Sequence, residues 1–397
     1  RETLVEELPD VWEGVQAANT YSIDLTRFAP DPDAVTDEDR RLRGEVMRRT
    51  TFERLMALAA ENEPNLDVRR GVAVTGLITG TPDPSGVPVV RGVATESGDI
   101  HADLVIDSGG RRSAAPRWLE AIRAPVQQWS ESDGFTYHSR WYRTHDGSYP
   151  AKGVGNFGGM APGLMTLLFP GDAGAFSIAM VGLGTDKVLR RLRDPARFTA
   201  VARQLAPLEP WVDPDVSAPI TDVMPMGAIQ NRRLRFWNGD GPSVIGFINV
   251  GDSVLSTNPS LGRGIALAAV GALELRALLR QTHDPRAITH EYDRVKEERL
   301  LPWLDDAVES DRAMRRALNQ ALGRPVDEEV SDRSMMVRAA FTDMECWRRW
   351  VPVNQVLDLP SSCLDDPDLM ARAREVAADV PPPSYQLSRD ELTDILA

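Results

Sequence analysis

Asp252 stands directly after Gly251 at the end of an apolar run, Ile245 to Val250, and Pro259, Leu261, Gly262 and Gly264 follow close behind. A carboxylate in that place can accept from a sugar hydroxyl, and the glycines let the backbone approach a ring or phosphate that a Cβ would hold off. From Ile265 a stretch of alanines, leucines and valine reads as about four turns of helix. The free N–H groups of that helix start and the carboxylate then border one crevice, which suits a polyhydroxylated, anionic ligand. A second constellation lies upstream. The short apolar strand Asp103 to Asp107 delivers the Asp107 carboxylate to its C-terminal end, and Ser108, Gly109, Gly110, Arg111, Arg112 and Ser113 lead into a helix at Pro116 to Leu119. Ligand groups are again placed outside the carboxyl end of a strand.

The first stretch resembles the Gly-Asp motif of FAD-dependent monooxygenases, the flavoprotein hydroxylases, with halogenases and geranylgeranyl reductases as neighbours. The resemblance implies that Asp252, after Gly251, binds the ribityl chain of FAD. It makes Pro259, Leu261, Gly262 and Gly264 the flavin-ring and turn residues, with the positive end of the helix beside the ring edge that becomes anionic on reduction. Ser253-Val254-Leu255 stands where many hydroxylases have Ala-Ala-His. The upstream run is similar to the family's Asp-Gly motif, here Asp107-Ser108-Gly109, which puts Asp107 and Gly109 near the cofactor pyrophosphate, with water or a cation between the like charges. Arg48 to Leu55 is similar to a family helix start whose arginine reaches the cofactor, and Arg49 is the matching position. A solvated helix face is the other reading of these arginines. Ala73 and Val74 match the strand that passes the adenine.

One GxGxxG occurs, Gly153 to Gly158, but Gly147-Ser148-Tyr149-Pro150 precedes it where a fingerprint needs an apolar strand, so it reads as a loop. In the family the fingerprint lies at the extreme N-terminus. The helix over Glu2 to Val15 reads as already under way, and the resemblance implies that a first strand, its Gly-rich turn and an acidic strand end precede Arg1.

The elements that must position these residues read as an α/β (α+β) chain. By resemblance, a three-layer, Rossmann-like FAD-binding domain occupies residues 1–125 and returns at 241–282. An antiparallel-sheet substrate domain is inserted at 126–240, and 283–397 is helical. Helical periodicity covers Arg1 to Val15 and Arg41 to Asn62, where Pro64 ends it, and Leu66 to Thr79 with Val89 to Thr95 reads as a hairpin. Phe135 to Tyr142, Leu164 to Phe169 and Ala175 to Val181 are strand-like. Asp194, Asp284 and Asp366, each followed by Pro, are helix N-caps, and Ser388 with Glu391 is a capping box. Pro381-Pro382-Pro383 separates off that last helix. By resemblance, a substrate cavity is expected between the sheet near Phe135 to Val181 and the helices after Pro302.

Composition narrows the function. Apolar side chains make up 42% of 397 residues, enough for a large core, and a net charge of −14 argues against nucleic acid or an anionic membrane as the partner. Two cysteines without ligand spacing fit the cytoplasm, the five histidines form no metal-ligand pair, and no apolar run of about 18 residues is present. The resemblance implies an FAD-dependent monooxygenase acting on a small organic or hydrophobic substrate through a flavin hydroperoxide. Electrons would come from NAD(P)H or from reduced flavin supplied by a flavin reductase. A flavin-dependent reductase of isoprenoid-type double bonds and a non-catalytic flavin-fold remnant acting as a binding protein are the alternatives. The halogenase signature WxWxIP is absent, and flavin chemistry requires no particular catalytic side chain.

Overall fold

The computed structural model describes residues 1–132, 134–150, 159–239, 241–326, 329–380 and 385–397. The glycine run at 153–158 and the proline tract at 381–383 lie outside the described residues. The chain begins with two helices, Glu2–Glu7 (α1) and Pro9–Ala17 (α2), rather than one. They break at Leu8, which leaves the helical region (φ −140°, ψ 62°) ahead of Pro9, the first residue of α2. A ribbon of Tyr21–Asp24 (β1) and Arg43–Val46 (β2) follows, then the helix Arg49–Asn62 (α3). The helix expected from Arg41 therefore starts eight residues late. Pairing with β1 holds the intervening stretch extended, and Thr20 and Ser22 donate to the Glu45 carboxylate across the ribbon.

The meander Val74–Thr79 (β3), Val90–Thr95 (β4) and Gly98–His101 (β5) matches the expected hairpin with a third strand added, while residues 66–73 stay irregular. Val105–Asp107 (β6) and the short helix Ala115–Ala121 (α4) come next, then Gln127–Ser132 (β7). Phe135–Thr144 (β8), Gly159–Ala161 (β9), Leu164–Pro170 (β10) and Ala175–Leu183 (β11) form the antiparallel sheet. Beyond the helix Pro195–Gln204 (α5) it is completed by Ser217–Pro219 (β12) and Met224–Gly227 (β13), in the order β12-β8-β11-β10-β9 with β13 also on β8. Gln230–Arg235 (β14) pairs with β7 and, later, with Leu255–Ser256 (β18). Between them lie the two-residue strands Trp237–Asn238 (β15) and Gly241–Pro242 (β16) and the buried Phe247–Asn249 (β17).

The rest is helical: Gly264–Leu279 (α6), Pro285–Val295 (α7), Leu301–Ala321 (α8), Asp332–Ala339 (α9), Met344–Asn354 (α10), Ser361–Leu364 (α11), Pro367–Asp379 (α12) and Arg389–Leu396 (α13), with one π-helical stretch, Lys296–Leu300, joining α7 to α8. Asp194, Asp284 and Asp366 accept from the first N–H groups of α5, α7 and α12, and the Ser388–Glu391 capping box closes on both sides. One face of the large sheet packs Phe176 and Trp211 with Phe198 of α5 and Leu392 and Leu396 of α13. The other packs Phe135, Tyr137 and Val181 against Leu318 of α8. A cavity of about 560 Å³ lies instead between the β1 region and the helices α8 to α10. Among the described residues no helix is long and apolar enough to cross a membrane.

Candidate cofactor and substrate site

Strands β6 and β17 run parallel, with Asn249 opposite Asp107, and this single pairing brings the two motifs side by side. Val250 N–H donates to the Asp107 carbonyl at 2.9 Å, and Gly110 N–H donates to Ser253 Oγ at 2.8 Å. Gly110 and Gly251 have φ of 70° and 59°, a conformation that other residues adopt at a cost. Asn249 is fully buried and ties the second turn down: its amide donates to the Ser253 carbonyl at 2.8 Å and its oxygen accepts from Lys296 Nζ at 3.2 Å. Burial pushes the Lys296 ammonium down to about 8, against the opposing pull of Asp293.

The two acidic residues have different environments. Asp107 is buried and spends its carboxylate on its own turn, accepting from Gly109 N–H at 2.9 Å and Ser113 Oγ at 2.6 Å. A Cβ at Gly109 would fall 2.9 Å from Asp107 Oδ1, so glycine is needed for this closure. Asp252 is exposed and, among the described residues, makes no hydrogen bond or ion pair. Its carboxylate lies beside the first residue of α6, since a Cβ on Gly264 would be 3.9 Å from Asp252 Oδ1. The N-terminus of α6 has no side-chain cap, and Gly262, at φ 67°, has open space where a Cβ would stand. An unpaired acceptor, uncapped N–H donors and an open glycine surface fit the ribityl and ring portions of a flavin.

The turn that carries these groups is fixed from below. Asn258, its first residue, caps the Pro259–Leu261 turn by accepting from Ser260 N–H at 3.1 Å. Its side-chain amide donates to Asp311 Oδ1 at 2.6 Å, Tyr137 donates to its oxygen, and its own N–H donates to Asn231 Oδ1 at 2.9 Å. Asn231 in turn donates to Asp311 Oδ2 at 2.7 Å. These four buried side chains come from β8, β14, the turn and α8, so the large sheet and the helical region together set the turn's position.

Leu261, on the same turn, is also a wall of a cavity of about 560 Å³. The other walls come from the β1 region, α9 and α10, and include Phe28, Phe341, Trp347 and Trp350. Behind the cavity lies a buried cluster of two arginines and one aspartate. Arg263 of the Gly-Arg-Gly turn pairs with Asp306, donates to the Asn354 carbonyl and side chain at 3.2 Å each, and stacks over Trp303. Arg333 donates through Nε to the other Asp306 oxygen at 2.7 Å and lies over Trp350.

Of the positions singled out in the sequence, Gly251, Asp252, Pro259, Leu261, Gly262 and Gly264 fall on one continuous turn and helix start, and Asp107 and Gly109 abut it. Arg49 and Val74 are not brought in by any described hydrogen bond. Arg49 pairs with Glu53 one turn along α3 at 2.6 Å and is 79% exposed, the solvated-face arrangement, and Val74 opens β3 on the surface. The arginine that does leave that helix start is Arg48, bound to Asp172. Arg263, Asp306, Arg333 and the Asn258 network were not read from the sequence. The available signal was the phase of α8, which puts Asp306 and Asp311 on the same buried side as Trp303, Leu304 and Leu318. Among the described residues no group of His, Cys, Asp and Glu is placed to hold a metal ion.

No family model matches the chain. Protein Rv3254 of Mycobacterium tuberculosis is 29% identical over 194 residues, which is 46% of this chain but 38% of that protein, so the match spans well under half of the relative's length. The myxobacterial chondrochloren halogenase CndH, an FAD-dependent halogenase, aligns over 99% of this chain and 85% of its own, with TM-score 0.56 and 14% identity. PyrE3, a Diels-Alderase of pyrroindomycin biosynthesis, gives TM-score 0.57 at 17% identity over 90% and 71% of the two chains. OxyS, an anhydrotetracycline hydroxylase from Streptomyces rimosus, gives 0.54 at 16% over 88% and 65%. At these identities the likeness is one of architecture: the chain has the mixed helix-and-sheet fold found in FAD-dependent halogenases and hydroxylases, with a helical C-terminal region.

Proposed function

We propose that this chain is an FAD-dependent oxidoreductase of the monooxygenase type, acting on a small, mainly apolar molecule. The reading rests on one observation: the turn bearing the unpaired Asp252 and the uncapped start of α6 also contributes Leu261 to a 560 Å³ cavity, a size suited to a small organic ligand. Bound at this turn, FAD would supply redox equivalents and oxygen activation. Asp252 accepts a hydrogen bond from a ribityl hydroxyl, Gly262 and Gly264 let the ring lie on the backbone, and the positive end of α6 stabilises negative charge at the ring edge. Aromatic walls keep water from the substrate. In this scheme 1–125 and 241–282 form the cofactor half, 126–240 the sheet wall and 283–397 the helical cover of the substrate. Electrons come from NAD(P)H or from reduced flavin delivered by a reductase. The buried, unpaired thiols of Cys346 and Cys363 suit a cytoplasmic setting.

The test is reconstitution. Titration of the full-length protein with FAD should give bound-flavin absorbance, and the loaded protein should consume oxygen when given NAD(P)H or reduced flavin. Failure to bind flavin at any attainable concentration sinks the reading. Anaerobic saturation of a double bond, with no label taken up from isotopic oxygen, moves it to the reductase chemistry.

A further inference from the structure

The cavity beside the flavin turn has one charged residue in its walls, Arg333. Its remaining walls are apolar or aromatic apart from Ser310, Asn354 and Gln355. The side chain of Arg333 is 8% exposed, so the cation is held out of bulk water. It shares its counter-ion. Asp306, itself 1% exposed, faces both Arg333 and Arg263, which is 4% exposed, so two buried guanidinium groups divide one carboxylate and one positive charge is left over. Arg263 has committed donors on all three nitrogens, to Asp306 and Asn354. Arg333 uses Nε and Nη2 on Asp306, and among the described residues its Nη1 has no acceptor. A buried, partly unpaired cation is costly unless something completes it.

We propose that the cavity selects a flat, mainly apolar molecule bearing a single anionic group of the carboxylate class, with Arg333 as the specificity-determining residue that receives the anion. A ligand carboxylate supplies the missing charge and an acceptor for Nη1, while Phe28, Trp347 and Trp350 pack against its apolar body. The chain as a whole carries −14, so a general attraction for anions does not bring such a ligand in. Selection has to come from this one local cation. That the ligand is the substrate rests on the flavin reading above. That an anion is preferred here does not.

The experiment is therefore run on the purified protein without added flavin, with quenching of tryptophan fluorescence checked by calorimetry. The probes are benzoate, 2-naphthoate and 9-anthroate, each against its neutral amide. At least one acid should bind below about 1 mM and tenfold or more tighter than its amide. Arg333→Gln leaves Arg263 and Asp306 as a neutral pair, and it should abolish the acid preference while amide binding persists. A preference that survives Arg333→Gln, amides that bind the wild-type protein as well as their acids, or no binding by any of the three acids overturns the proposal. The acid-against-amide comparison needs only wild-type protein and holds even if the variant does not fold. Absence of flavin binding in the reconstitution, with the acid preference intact, counts against the oxidoreductase reading alone.

Discussion

Asp107 ends the strand paired with Asn249 and Asp252 follows three residues on, yet the geometry gives the two carboxylates opposite duties. Asp107 closes its own turn through Gly109 and Ser113, so Asp107→Ala removes two hydrogen bonds to a buried carboxylate and should cost about 1–3 kcal/mol of stability. Among the described residues Asp252 holds nothing in the protein, so in the full-length protein Asp252→Ala should leave the melting temperature almost unchanged while weakening FAD binding by about 1.5–3 kcal/mol. Paired thermal melts and flavin titrations of both variants check this, and a destabilised Asp252→Ala with normal flavin affinity would reverse the two roles. The sequence made the place of both carboxylates legible, because a glycine after a strand end has a strong local signature. Which of them was already satisfied depended on Ser113 curling back to its own strand end, and no spacing rule encodes that.

At the scale of elements, the turn over Asn258 to Gly264 is held by the buried set Tyr137, Asn231, Asn258 and Asp311. Replacing Asp311 with Leu removes the acceptor of two buried amides at once, so a loss of about 2–6 kcal/mol is expected, from about 1–3 kcal/mol per orphaned group. Native-state hydrogen exchange should show the excess opening concentrated at Asn258 to Gly264. Exchange spread evenly over α8 and the sheet would instead make Asp311 an ordinary core residue. Local chemistry announced the caps at Asp194, Asp284, Asp366 and Ser388, since each is settled within three residues of chain. It missed β2, whose partner β1 lies some twenty residues upstream. The apolar spacing from Val46 onward looked helical although Met56 and Leu58 of α3 remain exposed. The Asn258 network was invisible for the same reason, as its members are drawn from four separate stretches.

Across the whole molecule, the sheet and the N-terminal segment meet at Asp172, and the acid limb of stability reports on that joint. Asp172 sits in the β10–β11 turn, accepts from Arg48 through its backbone N–H at 2.7 Å and its guanidinium at 2.6 Å, and accepts from Thr51 Oγ at 2.9 Å. Burial pushes its carboxyl up, but the hydrogen bonds from Arg48 and Thr51 outweigh that and hold it below the usual carboxylate range. A depressed carboxylate contributes stability that is present above its unfolded value and is lost as pH falls through the folded one. This loss belongs below about pH 4. A second group titrates earlier. His138 of β8 is 2% exposed, burial together with the charge of Arg193 pushes its imidazole down to about 4, and among the described residues its Nε2 has no partner. The unfolded chain therefore binds a proton between about pH 6.5 and 4 that the folded one does not, and stability falls as pH drops through that window. Urea unfolding at stepped pH should show two acid phases. His138→Leu should flatten the upper one, worth roughly 3 kcal/mol at about 1.4 kcal/mol per pH unit, and leave the lower. Asp172→Asn should cost about 3–5 kcal/mol near pH 7, because it leaves Arg48 half-buried without its counter-ion, and should reduce the lower phase, to which the depressed carboxyls of Asp39 and Asp343 also contribute, without touching the upper. A single acid phase that both variants shift together would mean that the two sites titrate as one unit, and that the sheet does not carry His138 independently of its joint with the N-terminal segment.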